Sequence, residues 1–279
     1  MNGRFALSIA VVAMCGAAAV APASAAGLPR IVSMNVCTDQ LVLALADPGQ
    51  IMGLSRYSHD GWQSAADDAG RYPALSGGAE DVLVLKPDVV VASLFDKRST
   101  RELLKEHGLH LAELAVPRTL DEAKAQISEA GDIVGHPDRA AAEIARLDAA
   151  LARARAAVTS RHYRVLPLSR RGWVAGSDSF VGSLLAQTGL FNAAGDLGFT
   201  SGGFASLEAI VSLKPDFIVV SQAGDYARDD GQAFLLHPAL ERFYPPSKRI
   251  VIPERLTECG GVMLADALDV LVRELKRVE

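Results

Sequence analysis

The sequence predicts an α/β fold of two Rossmann-like lobes, joined by one long α-helix, with a ligand cleft between them. Three observations predict it. A fifteen-residue unit occurs twice, strand patterns alternate with helix patterns on both sides of residues 138–159, and that central segment is one uninterrupted amphipathic pattern. Because alternating strands and helices are typical of parallel sheets, the duplication predicts two such sheets in the chain.

The repeated unit reads AEDVLVLKPDVVVAS at residues 79–93 and LEAIVSLKPDFIVVS at residues 207–221. At this offset of 128 positions, Glu80 aligns with Glu208. In each copy a proline stops a short helix, because its ring clashes with a continuing helix. The apolar run that follows is typical of a parallel strand covered on both faces. Each unit therefore predicts a helix, a Pro-Asp turn and a buried strand.

Residues 1–26 are predicted to be a secretory signal peptide. Arg4 supplies a positive charge, residues 5–20 are almost all apolar or small, and the Ala-Ser-Ala sequence at 23–25 matches a cleavage site. The run is too short and too rich in small residues for a membrane anchor. The mature protein is therefore expected to be exported, and the family resemblance described below implies the periplasm as its location.

The remaining chain is predicted to form an N-terminal lobe at 27–136, a connecting helix at 137–161 and a C-terminal lobe at 162–279. Strands are predicted at 30–34, 51–54, 89–91, 110–115, 164–168, 217–220 and 249–252. Helices beyond the repeated units are predicted at 39–46, 100–107, 120–134, 180–188 and 262–276.

The connecting helix is predicted from apolar residues that recur at steps of three and four. Those residues are Ile144, Leu147, Leu151, Ala154 and Val158. Charged residues fill the other faces, and no Gly or Pro interrupts the pattern. This spacing predicts one helix of about 22 residues, roughly 33 Å long, which would act as a rigid connector.

Composition and motifs exclude several function classes. The 279 residues carry a formal charge of −5 and no basic block, so a nucleic acid partner is not expected. The sequence has no G-x-S-x-G, H-E-x-x-H, C-x-x-C or phosphate-loop motif. We therefore expect neither catalysis nor a bound cofactor or metal. A direct zinc or manganese binder is a weaker alternative, because His59 is the sole histidine in a candidate ligand loop.

Polar loops that carry aromatic and cationic side chains follow several predicted strands. Such loops are suited to holding a ligand, and arginines could pair with its carboxylates. The candidate ligand-binding residues in these loops are Tyr57, Trp62, Arg170, Arg171, Trp173, Tyr226 and Arg255.

Two cysteines remain after removal of the signal peptide, Cys37 and Cys259. Three interpretations stay open. The pair could form a disulfide across the base of the cleft, provide thiols that contact a metal complex, or be unrelated small residues. A rival function, an exported enzyme acting on a small metabolite, would use Cys37 as its nucleophile.

The paired E-x5-K-P-D units, the early R-I-V-S strand at 30–33 and the central helix resemble the periplasmic binding proteins of ABC importers for cobalamin, ferric siderophores and haem. The resemblance covers nearly the whole mature chain. It implies a monomer that captures a metal chelate, corrinoid or haem between its lobes and delivers it to an inner-membrane ABC permease. By this resemblance Glu80 and Glu208 dock onto the two permease subunits.

The resemblance also extends to ligand-binding segments. Residues 53–58 are similar to a segment whose tyrosine touches ligand, and residues 172–176 to one that offers an aromatic from the other lobe, so Tyr57 and Trp173 inherit these roles. The cobalamin binder has a tryptophan near the place where this chain has Gly202-Gly203. This departure weakens a strict cobalamin assignment and favours a larger or flatter ligand, such as haem or another corrinoid. Segments that precede helices at the cleft add three more candidate ligand-binding residues, which are Asn35, Cys37 and Cys259.

Overall fold

The computed structural model describes residues 27–278 with gaps at residue 62 and at 65–66, 159–161 and 222–229. Two parallel sheets lie on either side of one long helix in the sequence, so the predicted fold class is confirmed. None of the described helices combines the length and the apolar character that a bilayer span requires. The predicted signal peptide, Trp62 and Tyr226 lie outside the described residues.

The N-terminal lobe contains a five-stranded parallel sheet in the order β3-β2-β1-β4-β5. Because β2 and β4 lie on opposite sides of β1, the loops after β1 and β4 diverge and open a crevice at the carboxyl ends of the strands. The elements of this lobe are β1 (Ile31–Ser33), α1 (Val36–Leu45), β2 (Ile51–Ser55), β3 (Ala74–Leu75), α2 (Ala79–Leu85), β4 (Val89–Ser93), α3 (Arg98–Glu106), β5 (Leu111–Leu114) and α4 (Leu120–Val134).

The rest of the chain contains a four-stranded parallel sheet in the order β11-β10-β6-β8 and a two-stranded antiparallel ribbon of β7 and β9. The elements are α5 (Pro137–Val158), β6 (Arg164–Pro167), β7 (Trp173–Ala175), α6 (Phe180–Thr188), β8 (Phe191–Asn192), β9 (Gly202–Phe204), α7 (Leu207–Leu213), β10 (Phe217–Val220), α8 (Asp230–Ala233), α9 (Pro238–Phe243), β11 (Arg249–Val251) and α10 (Leu264–Val278).

The duplicated sequence unit folds the same way in both lobes. Its helix ends at a lysine in the left-handed region, with φ of 48° in the first copy and 50° in the second. The aspartate after the proline then accepts a hydrogen bond from an arginine backbone N–H of the neighbouring strand segment. The donor and acceptor are Arg30 and Asp88 in one lobe and Arg164 and Asp216 in the other, both 2.8 Å apart. Glu80 and Glu208 therefore occupy equivalent positions.

The long helix α5 is attached to both lobes. Leu147 and Leu151 are buried in a hydrophobic core that includes residues of both sheets. Its ion pairs join Asp148 to Lys124 of α4, Arg146 to Asp266 of α10 and Arg153 to Asp269 of α10. This shared core and these ion pairs resist relative motion of the lobes. The lobe boundaries placed at residues 136 and 161 stay predictions.

Two local predictions are wrong. The helix predicted to begin at residue 39 begins at Val36, because the Asn35 side chain accepts hydrogen bonds from the N–H groups of Cys37 and Thr38 at 3.0 and 3.1 Å. The loops around Trp173 and Gly202 instead pair as β7 and β9. Each strand is only three residues long, too short to show alternation in the sequence.

Candidate ligand cleft

The sequence-predicted site residues cluster where parallel strands end. Asn35 follows β1, Tyr57 follows β2, and Arg170 lies in the turn after β6. In open α/β sheets, ligands bind in the crevice outside the carboxyl ends of the strands, where the strand order changes direction. The topology therefore places Asn35 and Tyr57 at the carboxyl edge of the N-terminal sheet and Arg170 at that of the C-terminal sheet.

A disulfide between Cys37 and Cys259 links the segments that follow β1 and β11. Cys37 is the second residue of α1 and Cys259 precedes α10, so the bond joins the two lobes, with the Cα atoms 5.1 Å apart. Both cysteines line a cavity of about 170 Å³ together with Asn35, Pro117 and Glu258. Of the three interpretations, the structure contains the disulfide. A bonded Cys37 has no free thiolate, so the rival enzyme lacks its nucleophile in this state.

The lobes also touch directly beside the disulfide. A Cβ atom added to Gly260 would lie 2.5 Å from Cγ of Pro117 in the N-terminal lobe and 3.2 Å from the ring of Phe180 in the C-terminal lobe. The absence of a side chain at residue 260 therefore allows this close approach. Desolvation raises the pKa of the neighbouring Glu258 carboxyl, and the charge of Glu254 adds to the effect.

An exposed apolar rim borders the cavity on the N-terminal side. Phe95 is 84% exposed, and Leu94 and Val116 are also exposed. Phe95 and Val116 line the disulfide cavity and follow β4 and β5. Contiguous exposed apolar side chains are characteristic of ligand or partner surfaces. None of the three is among the sequence-predicted site residues, although Leu94 and Phe95 directly follow the buried strand β4.

Asn35 lines the cavity, but both ends of its amide are already bonded. Its Oδ1 atom caps α1, and its Nδ2 atom donates to Oδ2 of Asp96 at 2.9 Å. Asp96 also accepts from the backbone N–H of Ser93 at 2.7 Å. Asn35 therefore joins the loops that follow β1 and β4, which shapes the cavity wall.

Tyr57 projects from a short 3-10 helix, Arg56–His59, and is 42% exposed. Its hydroxyl accepts a hydrogen bond from Nη2 of Arg56 at 3.2 Å, and the guanidinium lies 5.0 Å from the ring centroid. This hydrogen bond and the Arg56 charge lower the pKa of Tyr57, with a further contribution from Lys97. The side chain therefore offers a polarised phenol on an exposed aromatic ring.

The C-terminal lobe presents an aromatic pair on the ribbon of β7 and β9. Trp173 and Phe204 are cross-strand partners, with ring centroids 5.0 Å apart in an edge-to-face arrangement. Phe204 is 65% exposed. Gly202 has φ of 139°, and a Cβ atom there would lie 2.6 Å from the Trp173 ring. The absence of a side chain at residue 202 therefore allows the Trp173 indole to lie against β9.

The three predicted arginines fall in two places. Arg170 and Arg171 are exposed in the turn directly before Trp173. Arg255 lines a second, polar cavity of about 600 Å³ between the lobes, with His59, Ser64 and Asp266. Within the described part of the chain, no three His, Cys, Asp or Glu side chains lie together in a way that could hold a metal ion.

A family model described as periplasmic binding protein matches residues 31–245. The chain belongs to the periplasmic binding protein family. A cobalamin-binding protein of Halobacterium salinarum is 27% identical to it over 206 residues, which cover 70% of this chain and 54% of the relative. This periplasmic binding protein thus spans about half the length of that curated relative.

Three solved structures share the fold of this periplasmic binding protein. Heme-binding RhuT from Roseiflexus sp. RS-1 has a TM-score of 0.69 and 24% identity, covering 91% of this chain and 100% of that one. Heme-binding HutB of Vibrio cholerae has a TM-score of 0.71 and 21% identity, covering 88% and 97%. Vitamin B12-binding BtuF of Vibrio cholerae has a TM-score of 0.65 and 16% identity, covering 90% and 98%.

Proposed function

We propose that this protein captures a metal chelate or corrinoid, namely cobalamin, haem or a ferric siderophore, between its lobes and delivers it to an inner-membrane ABC permease. The observation that carries the proposal is the pair of exposed aromatic groups, with Tyr57 and Phe95 on one lobe and Trp173 and Phe204 on the other. The cobalamin- and haem-binding relatives support the same ligand class.

The aromatic groups favour a flat macrocycle, a corrinoid or haem, over a siderophore. Aromatic side chains gain most when a planar partner covers their faces or edges. Burying one such side chain is worth about 1.5–3 kcal/mol. Arg170 and Arg171 beside Trp173, and Arg255 in the second cavity, would meet acidic side groups of such a ligand as charge-assisted hydrogen-bond donors.

An absorbance-monitored titration of the mature protein tests the proposal. The probes are hydroxocobalamin, haemin and a panel of ferric siderophores, each with and without a reductant. We expect saturable binding of hydroxocobalamin or haemin with a Kd of about 1 μM or tighter, equivalent to about 8 kcal/mol. Failure of every probe to bind would contradict the proposal.

Replacing the aromatic pair should weaken ligand binding strongly. We expect Trp173→Ala or Phe204→Ala to raise the Kd of the bound probe by about 10- to 100-fold, because each removes a buried aromatic contact worth about 1.5–3 kcal/mol. The edge-to-face contact between the two rings is lost in either variant, so the double variant should cost less than the sum.

Phe191→Ala is the matched control for this pair. Phe191 is an exposed aromatic of the same lobe, but it pairs with Arg164 at the amino end of β6 and so lies away from the cleft. Its replacement should leave the Kd within about twofold, since distant surface changes have little effect. Equal effects of Phe191→Ala and Trp173→Ala would place the ligand elsewhere.

Delivery to the permease is assigned to Glu80 and Glu208. Both are exposed second residues of seven-residue helices in the two copies of the repeated unit. Hydrogen bonds from the backbone N–H of Glu208 itself and from the Ser206 hydroxyl lower the pKa of Glu208. They keep that carboxylate charged. Equivalent acids on two lobes suit a two-fold permease that offers one cationic contact from each half.

A further inference from the structure

A buried carboxylate, Asp39 of α1, holds the end of strand β2. Asp39 has no solvent exposure. Its oxygens accept hydrogen bonds from the backbone N–H of Ser55 at 3.1 and 3.2 Å and from the Ser55 hydroxyl at 2.5 Å. Ser55 is the last residue of β2, and the next segment begins directly after it. The Asp39 side chain therefore holds both the backbone N–H and the hydroxyl of Ser55.

The next segment is the 3-10 helix that carries Tyr57. The Ser58 hydroxyl donates to the carbonyl oxygen of Ser55 at 2.8 Å, which closes the turn onto the same residue. Asp39 also belongs to α1, whose second residue is the disulfide-bonded Cys37. The buried carboxylate thus links the base of the cleft with the segment that presents an aromatic side chain.

We propose that Asp39 is a positioning residue: its buried carboxyl fixes Ser55 and thereby the segment that presents Tyr57, so the ligand site responds to pH. The inference rests on the proposed function in one respect, the role of Tyr57 in ligand binding. The groups acting on the carboxyl are the hydroxyls of Ser33, Ser55 and Ser58 and the Ser55 backbone amide, and no charged side chain of the described residues is among them.

The direction of the response follows from burial. Desolvation raises the pKa of Asp39 to about 7, although the serine hydrogen bonds act in the opposite sense. If the segment opened and exposed Asp39 to water, the pKa of the carboxyl would return towards its ordinary value near 4. The raised pKa belongs to the closed form, in which Asp39 is buried against Ser55. That form is therefore favoured below pH 4 and loses this advantage as pH rises to about 7.

Hydrogen exchange of the ligand-free protein tests the positioning role. In the wild-type protein, the opening equilibrium of the Ser55 amide should increase about tenfold from pH 6 to pH 8, after correction for intrinsic exchange, because each pKa unit is tenfold. Asp39→Asn keeps the shape of the side chain and is neutral at every pH. Its exchange should change by less than twofold over this range and match the protected, acid form of the wild-type protein.

Two controls separate this role from general destabilisation. His59→Gln removes the histidine of the segment that carries Tyr57, and this variant should keep the wild-type pH profile. Asp39→Asn should melt no earlier than the wild-type protein at pH 8, because it removes the cost of a buried charge. A flat wild-type exchange profile, or one that persists in Asp39→Asn, would overturn the positioning role.

The coupling to the ligand site has its own readout. Titrations with hydroxocobalamin and haemin should show tighter binding at pH 6 than at pH 8 in the wild-type protein, and no such difference in Asp39→Asn. Equal wild-type affinity at both pH values would overturn the coupling. If neither probe binds the wild-type protein, the proposed function fails, while the exchange experiment still decides the positioning role.

Discussion

Replacing Glu80 and Glu208 together by glutamine should abolish ligand-dependent stimulation of the importer ATPase and leave ligand affinity within about twofold. Both carboxylates are exposed and lie on α2 and α7, outside the disulfide cavity and the exposed apolar rim. Losing one partner of a charge pair buried at an interface costs about 2–5 kcal/mol. Two such losses would weaken docking by far more than 100-fold, since 1.4 kcal/mol is tenfold.

The matched control removes two negative charges from the first turns of two other helices. Asp121 lies in the first turn of α4 and Asp138 in the first turn of α5, and both are exposed. Asp121→Asn with Asp138→Asn changes the net charge by the same amount and also removes acids that favour a helix N-terminus. Stimulation in proteoliposomes should survive in this variant. Loss of stimulation in both double variants would attribute docking to overall charge.

The two single variants then show whether both glutamates contact the permease or only one of them does. If the two lobes dock independently on the two halves of the permease, Glu80→Gln and Glu208→Gln should reduce stimulation to similar extents. Equivalent hydrogen bonds of Asp88 and Asp216 fix the turns after the two helices in the same way. The two glutamates therefore have the same position in their respective lobes, which supports equal contributions. Unchanged stimulation in the double variant would remove the docking proposal.

The elements that the sequence predicted well are those with strong local signals. Pro87 and Pro215 end helices by steric exclusion. The helix predicted at 138–159 spans Pro137–Val158, and its apolar spacing persists over about four turns. The ribbon of β7 and β9 escaped prediction, because its two short strands pair across an intervening helix and strand. Such pairing depends on tertiary contacts that spacing along the chain does not encode.

The candidate site shows the same division. Tyr57 and Trp173 were predicted because aromatic residues in polar loops are conspicuous in a sequence. A phenylalanine at the end of a strand or just after it is expected to be buried, so only the fold reveals the exposure of Phe95 and Phe204. The sequence predicts that Asp39 lies in a helix but does not reveal its complete burial, since that burial depends on the packing of α1 against the end of β2.

Removing the disulfide by Cys37→Ser with Cys259→Ser should lower the free energy of unfolding by about 3–5 kcal/mol. The two cysteines are 222 residues apart, and a cross-link that closes so long a loop restricts the unfolded chain strongly. For a chain of this size, the loss should lower Tm by roughly 10 °C. Calorimetry of the double variant, and of the wild-type protein with a reductant, would measure both quantities.

Ligand affinity should respond much less than stability to this change. Loop entropy acts on the unfolded chain, whereas the width of the cleft is a property of the folded protein. In the folded protein the lobes are also held by α5, through Arg146 and Arg153 on one side and Asp148 on the other. We therefore expect the Kd of the bound probe to change by less than about threefold. A loss of more than tenfold would show that the Cys37–Cys259 bond, and not α5 with its shared core, sets the separation of the lobes.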